Sequence, residues 1–153
     1  MTPPAPFLPT SPGISLVDSN PARRRARQIL LLSERYRVRS YASCAALVSD
    51  PASRDHACII LDLSDSRLAG QDDDGMAALA AMRGLGWTGR AILIHERAPS
   101  PALLAAADRQ GDRILDRATT DGALLAAIAA AMLTLADART DAVSVSVGRS
   151  PSG

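Results

Sequence analysis

The segment Ala57-Cys58-Ile59-Ile60-Leu61 is apolar at every position and then meets a carboxylate, Asp62, with Leu63 beyond it. Apolar residues without polar alternation describe a strand covered on both faces, as in the interior of a parallel sheet. Such a strand has no place for a charge along its length. In open α/β sheets the tolerant position is the carboxyl end of the strand, where ligand crevices form. Asp62 is therefore a candidate site residue, and the rest of the chain has to say what kind of site it serves.

Two more segments share this form. Ile14-Ser15-Leu16-Val17 ends at Asp18, and Ala91-Ile92-Leu93-Ile94 ends at His95. Two other candidate strands, Tyr36 to Tyr41 and a short one at Ile114-Leu115 that ends near Arg117, are flanked or interrupted by polar residues, as suits sheet edges. Helical stretches separate them. Asn20-Pro21 is a cap followed by a first-turn proline, and opens a helix predicted to run to about Arg35. Ser43 caps a second helix to about Ser49. A polar loop, Ser64 to Asp74, leads through Gly75 into a helix to Arg83, and Pro101 to about Gln110 forms another. Thr120 or Asp121 caps a last helix to about Ala136, with Leu124, Leu125, Ile128, Met132 and Leu135 as its apolar stripe.

Five β-α repeats at this spacing predict a parallel sheet with helices on both faces, a doubly wound flavodoxin-like fold. A strand order of 2-1-3-4-5 puts the two polar strands at the edges and the three apolar ones inside. Asp18, Asp62 and His95 then lie together at the carboxyl ends of the inner strands. Residues 14–136 are expected to form this domain. Residues 1–13, with five prolines, are read as a disordered lead-in and 137–153 as a flexible tail, although Val143–Val147 alternates as a short strand would.

Composition excludes more than it assigns. One Phe, one Trp and two Tyr leave the core to Ala, Leu, Ile and Val. The formal charge is +1, so the charge of the whole molecule selects no partner. All seventeen basic residues are Arg, which makes Arg at any one place weak evidence of selection. Two cysteines, Cys44 and Cys58, fit a reducing interior and a cytoplasmic setting. No stretch approaches eighteen continuous apolar residues. Gly84 to Gly89 matches G-x-G-x-x-G, but it follows a helix and precedes a strand, the reverse of the dinucleotide-binding order. His56 and Cys58 are two apart without a second ligand pair, so zinc is not expected. No nucleophile elbow, metalloprotease or Walker sequence occurs, and no enzymatic activity is expected. A flavin site would need a hydroxyl-rich phosphate cradle and flanking aromatics, which the loops after the first and third strands lack.

From about Ile14 to Leu133 the chain resembles the receiver domain of two-component response regulators. The resemblance rests on Leu16-Val17-Asp18, the Arg-rich first helix, Val38 to Ser43, Cys58 to Leu63, Gly75 to Leu79, Ala91 to Ile94 and Gly111 to Arg117. It implies that Asp62 accepts a phosphoryl group from a histidine kinase or a histidine phosphotransfer protein. It further implies Mg²⁺ held by Asp18, Asp62 and the backbone carbonyl of Ser64, with His95 and Arg117 against the phosphoryl oxygens. Neutralising those oxygens is the main catalytic requirement of phosphoryl transfer.

The chain departs from the family at several of these positions. Ser19 stands where the family has a second acidic residue, His95 where it has a hydroxyl, Arg117 for a lysine, Ala118 for a proline and Ile114 for an aromatic residue. Those departures support an alternative: a receiver-like module that works by protein contact or dimerisation without phosphotransfer. Asp18 also has a local reading as an Asx turn into the Asn20 cap. The acidic run Asp72-Asp73-Asp74 reads first as solvated surface, with a carboxylate swung over the crevice as the alternative. Arg23-Arg24-Arg25-Ala26-Arg27 reads as a solvated helix face or a docking face for an acidic partner, in preference to a nucleic-acid contact. No helix-turn-helix follows the receiver-like stretch, so any effect is expected to pass through another chain.

Overall fold

In the computed structural model, residues 12–63, 71–95 and 99–148 are described. The chain alternates strand and helix: β1 (Gly13–Val17), α1 (Pro21–Ser33), β2 (Arg37–Tyr41), α2 (Cys44–Ser49), a 3₁₀ turn (Pro51–Asp55), β3 (Cys58–Asp62), α3 (Gln71–Gly84), β4 (Arg90–His95), α4 (Pro101–Gln110), β5 (Arg113–Asp116) and α5 (Asp121–Gly148). All strand pairs are parallel and the order is β2-β1-β3-β4-β5. This is the flavodoxin-like sheet expected from the hydrophobicity of the strands. β1, β3 and β4 are buried almost throughout, whereas β2 and β5 keep exposed positions.

The period-2 alternation of each inner strand divides the core in two. Val17, Ile59, Leu61, Ala91 and Leu93 point to one face and pack with Leu47, Leu79, Met82 and Leu103 of α2, α3 and α4. Ile14, Leu16, Cys58, Ile60, Ile92 and Ile94 point to the other and meet Leu31 of α1 with Leu124, Ala127 and Ile128 of α5. Cys58 is fully enclosed, and burial pushes its thiol up to about 12.

The helix starts follow from their caps. Asn20 Oδ1 accepts the Arg23 amide at 2.9 Å with Pro21 in the first turn, Ser43 Oγ accepts from Ala46 N at 3.1 Å, and Ser100 Oγ from Leu103 N at 3.1 Å. α1 ends at Ser33, two residues before the predicted boundary, and the chain turns through Arg35 at φ 67°.

Two boundaries move further. α3 begins at Gln71, so Asp72, Asp73 and Asp74 belong to its first turn instead of the loop. Gly75 lies inside that helix and leaves room for Leu63, whose side chain would stand 3.1 Å from an ideal Cβ there. α5 continues to Gly148 through residues read as a tail, and the alternating stretch 143–147 is helical, not extended. No Gly or Pro interrupts 123–147, so the backbone meets no helix breaker there. Over Asp121–Ala138 this helix is long and apolar enough to cross a membrane by length and composition. Its buried positions, Leu124, Ala127, Ile128, Ala131 and Leu135, recur at helical spacing and form the face toward the sheet.

Candidate functional site

The loop from β1 to α1 brings the cap and the candidate site together. Asp18 follows β1 directly, and its Oδ1 accepts the Asn20 amide at 2.9 Å, so the Asx-turn reading is also realised. Asp62 closes β3, the strand beside β1. Both carboxylate side chains have no exposed surface. Two buried carboxylates in one crevice require counter-charge, since burial and mutual repulsion both oppose ionisation.

That counter-charge comes from α1. Arg23 and Arg27 are one helical turn apart on a single face, and both turn inward over the strand ends. Arg23 clasps Asp18 in a fork: Nε to Oδ2 at 2.7 Å and Nη2 to Oδ1 at 2.8 Å. The same Nε stands 3.2 Å from Oδ2 of Asp62. Arg27 Nη1 donates to Oδ2 of Asp18 at 3.1 Å and also to Oδ2 of Asp62. Arg24 adds a hydrogen bond from Nη1 to the Asp18 carbonyl at 2.7 Å. The four-residue cluster of Asp18, Asp62, Arg23 and Arg27 carries no net formal charge. Its guanidiniums keep only 17% and 14% side-chain exposure.

The solvated-face reading of the Arg-rich helix therefore fails for Arg23 and Arg27, while Arg25 is exposed as expected. A sequence signal for this exists. α1 has no acidic residue in its first turn, yet three consecutive arginines, Arg23 to Arg25, crowd the positive end of its dipole. Such an arrangement needs anions nearby, and Asp18 and Asp62 are those anions.

The remaining expected site residues belong to the neighbouring strand ends or lie outside the described residues. His95 ends β4 with a buried side chain, and its carbonyl accepts the Arg117 amide at 3.0 Å. Arg117 is exposed in the turn after β5. Ile114 is half-buried and packs against the core under α4. Ser64 lies outside the described residues. A cavity of about 630 Å³ opens beside Asp62 and Ser19 between α2 and α3, lined largely by small apolar residues such as Ala77 and Ala78, with Cys44 and Asp74 also on its wall. Burial raises the Cys44 thiol pKa, and the Asp74 charge adds to the effect.

Mg²⁺ does not fit this arrangement. The ion needs near-octahedral oxygen ligands at about 2.0–2.1 Å with several waters retained. Here the converging carboxylate oxygens are already satisfied by two guanidiniums, and a divalent ion between them would stand against both positive charges.

No protein-family model and no curated protein matches the chain. Solved structures do. A response regulator receiver domain protein from Methanospirillum hungatei JF-1 aligns with a TM-score of 0.61 at 17% identity, over 78% of this chain and 91% of that one. A two-component response regulator from Clostridium difficile gives 0.66 at 16% identity, over 82% and 98%. The signal receiver domain of an HD domain-containing protein from Pseudomonas fluorescens Pf-5 gives 0.65 at 25% identity, over 81% and 96%. The chain thus has the fold of the response-regulator receiver domains, the signalling modules of two-component systems.

Proposed function

We propose that this protein is a receiver-fold signalling module that acts by contact with a partner protein and does not depend on phosphotransfer to Asp62. The observation that carries this reading is the sharing of Arg23 and Arg27 between Asp18 and Asp62. A carboxylate nucleophile must present a free oxygen in line with an incoming phosphorus, and a cation must be available for the three phosphoryl oxygens. The Asp62 side chain is enclosed, and Arg23 and Arg27 are already paired with carboxylates. The partner classes are a histidine kinase or histidine phosphotransfer protein that docks without transfer, or a second copy of this chain. α1 offers them an exposed face with Arg25, Ile29 and Leu32. The setting that fits such a role is the cytoplasm.

A second reading keeps Asp62 as phosphoacceptor, with Arg23 and Arg27 doing the electrostatic work of the metal. It is favoured by their direct contact with the Asp62 carboxylate. One experiment separates the two. The folded protein is incubated with acetyl phosphate or phosphoramidate, with and without Mg²⁺, and its intact mass is measured. The contact-only reading expects no phosphoryl adduct in either condition. An adduct that disappears in Asp62→Asn overturns it, and one that forms equally well without Mg²⁺ establishes the arginine-assisted alternative.

A further inference from the structure

We infer that the guanidiniums of Arg23 and Arg27 are the built-in cation of this site, and that they exclude the divalent ion that Asp18 and Asp62 would otherwise attract. The inference deepens the contact-only reading and rests on the same cluster. The geometry is specific. Nε of Arg23 lies 2.7 Å from Oδ2 of Asp18 and 3.2 Å from Oδ2 of Asp62, and Nη1 of Arg27 contacts the same two oxygens. Two hard oxygen donors from neighbouring strands thus converge on one point, as a hard divalent ion would require.

A tethered guanidinium holds that point against an ion from solution. It is intramolecular, and so present at high effective concentration. It makes a planar, charge-assisted two-pronged pair with Asp18. An entering ion must shed water, displace both arginines and leave two partly enclosed positive charges facing it. Arg23 and Arg27 act as positioning residues: they hold both oxygens of Asp18 and Oδ2 of Asp62.

The test uses Mn²⁺ as probe, read as paramagnetic broadening in amide NMR spectra, with Mg²⁺ as diamagnetic competitor. In the wild-type chain, millimolar Mn²⁺ is expected to leave the amides of Ser19 and Leu63 no more broadened than those of the exposed surface. In Arg23→Gln/Arg27→Gln, broadening centres on these amides, is relieved by Mg²⁺ and is lost on addition of Asp18→Asn. The expected gain in affinity is at least about tenfold, a small part of what two removed like charges provide.

Site-centred broadening in the wild type that Asp18→Asn abolishes overturns the inference, as does a folded double variant that fails to gain it. If the double variant does not fold, Arg27→Gln alone decides. It keeps the Arg23–Asp18 fork and is expected to gain part of the effect, and no gain over wild type overturns the inference. The outcome is separable from that of the phosphorylation experiment. An adduct in wild type without metal binding defeats the contact-only reading and spares this one, whereas metal binding without an adduct does the opposite.

Discussion

Asp18→Asn tests whether the carboxylate pair is held by arginine or would gain from losing a charge. The substitution preserves size and leaves an amide oxygen to accept the Asn20 amide. It removes one negative charge from a side chain with no exposed surface that receives two bonds from Arg23 and one from Arg27. Two guanidiniums are then left facing the single carboxylate of Asp62. Removing one partner of a buried ion pair costs about 3–5 kcal/mol. The arginines retain some solvent contact, so the low end, about 3 kcal/mol, applies. With an unfolding entropy near 2.1 cal/mol/K per residue, a chain of this length changes by about 3 °C per kcal/mol, which gives a fall in Tm of about 10 °C.

The assay is thermal and urea unfolding followed by circular dichroism and by Trp87 fluorescence, near neutral pH and at two salt concentrations. The pair is enclosed, so salt should change the result little. Asp62→Asn should cost less, about 2 kcal/mol, because Arg23 and Arg27 both keep Asp18. The sign is the critical result. In a crevice of two carboxylates that lacked resident cations, deleting one would relieve like-charge repulsion and raise Tm. An unchanged or higher Tm for Asp18→Asn would refute the arginine-clamp argument.

Other consequences are open to direct measurement. Gly89→Ala should destabilise the fold by about 2 kcal/mol or more by urea denaturation, since the added Cβ meets the Ala57 carbonyl oxygen at 2.3 Å and the Trp87 ring at 2.7 Å. An undiminished midpoint would mean that β4 can shift away from β3 at that point. Burial, followed by the hydrogen bond to Asp50 and that residue's charge, pushes the Tyr41 hydroxyl from 10.0 up to about 12. Because the folded state holds this proton more tightly, its contribution is full below pH 10 and is lost as pH rises toward 12. Stability measured across that window should fall less steeply in Tyr41→Phe than in wild type, and equal slopes would exclude Tyr41 as a source of the fall.

The fold was legible because each of its determinants is local. Uninterrupted apolar runs name the inner strands, polar alternation names the edges, and Asn20-Pro21, Ser43 and Pro101 mark three helix starts by their own backbone chemistry. The same patterns put Asp18, Asp62 and His95 at the ends of inner strands. The boundaries at Gln71 and Gly148 were less legible. A glycine inside α3 and polar residues late in α5 resemble boundary signals, and only the structure shows Gly75 packed beside Leu63 within the helix.

What sequence could not supply was the direction in which the arginines turn. Arg23, Arg24, Arg25 and Arg27 are chemically identical and consecutive enough to cover most of a helix circumference. Their charge at the helix start calls for nearby anions but does not say which of them meets those anions. The tertiary structure sets the rotation of α1 about its axis by burying Leu31 against the sheet, and that rotation carries Arg23 and Arg27 over the strand ends while Arg25 faces outward. Sequence determined that two carboxylates would share a crevice. Packing decided that their counter-ion would be part of the chain.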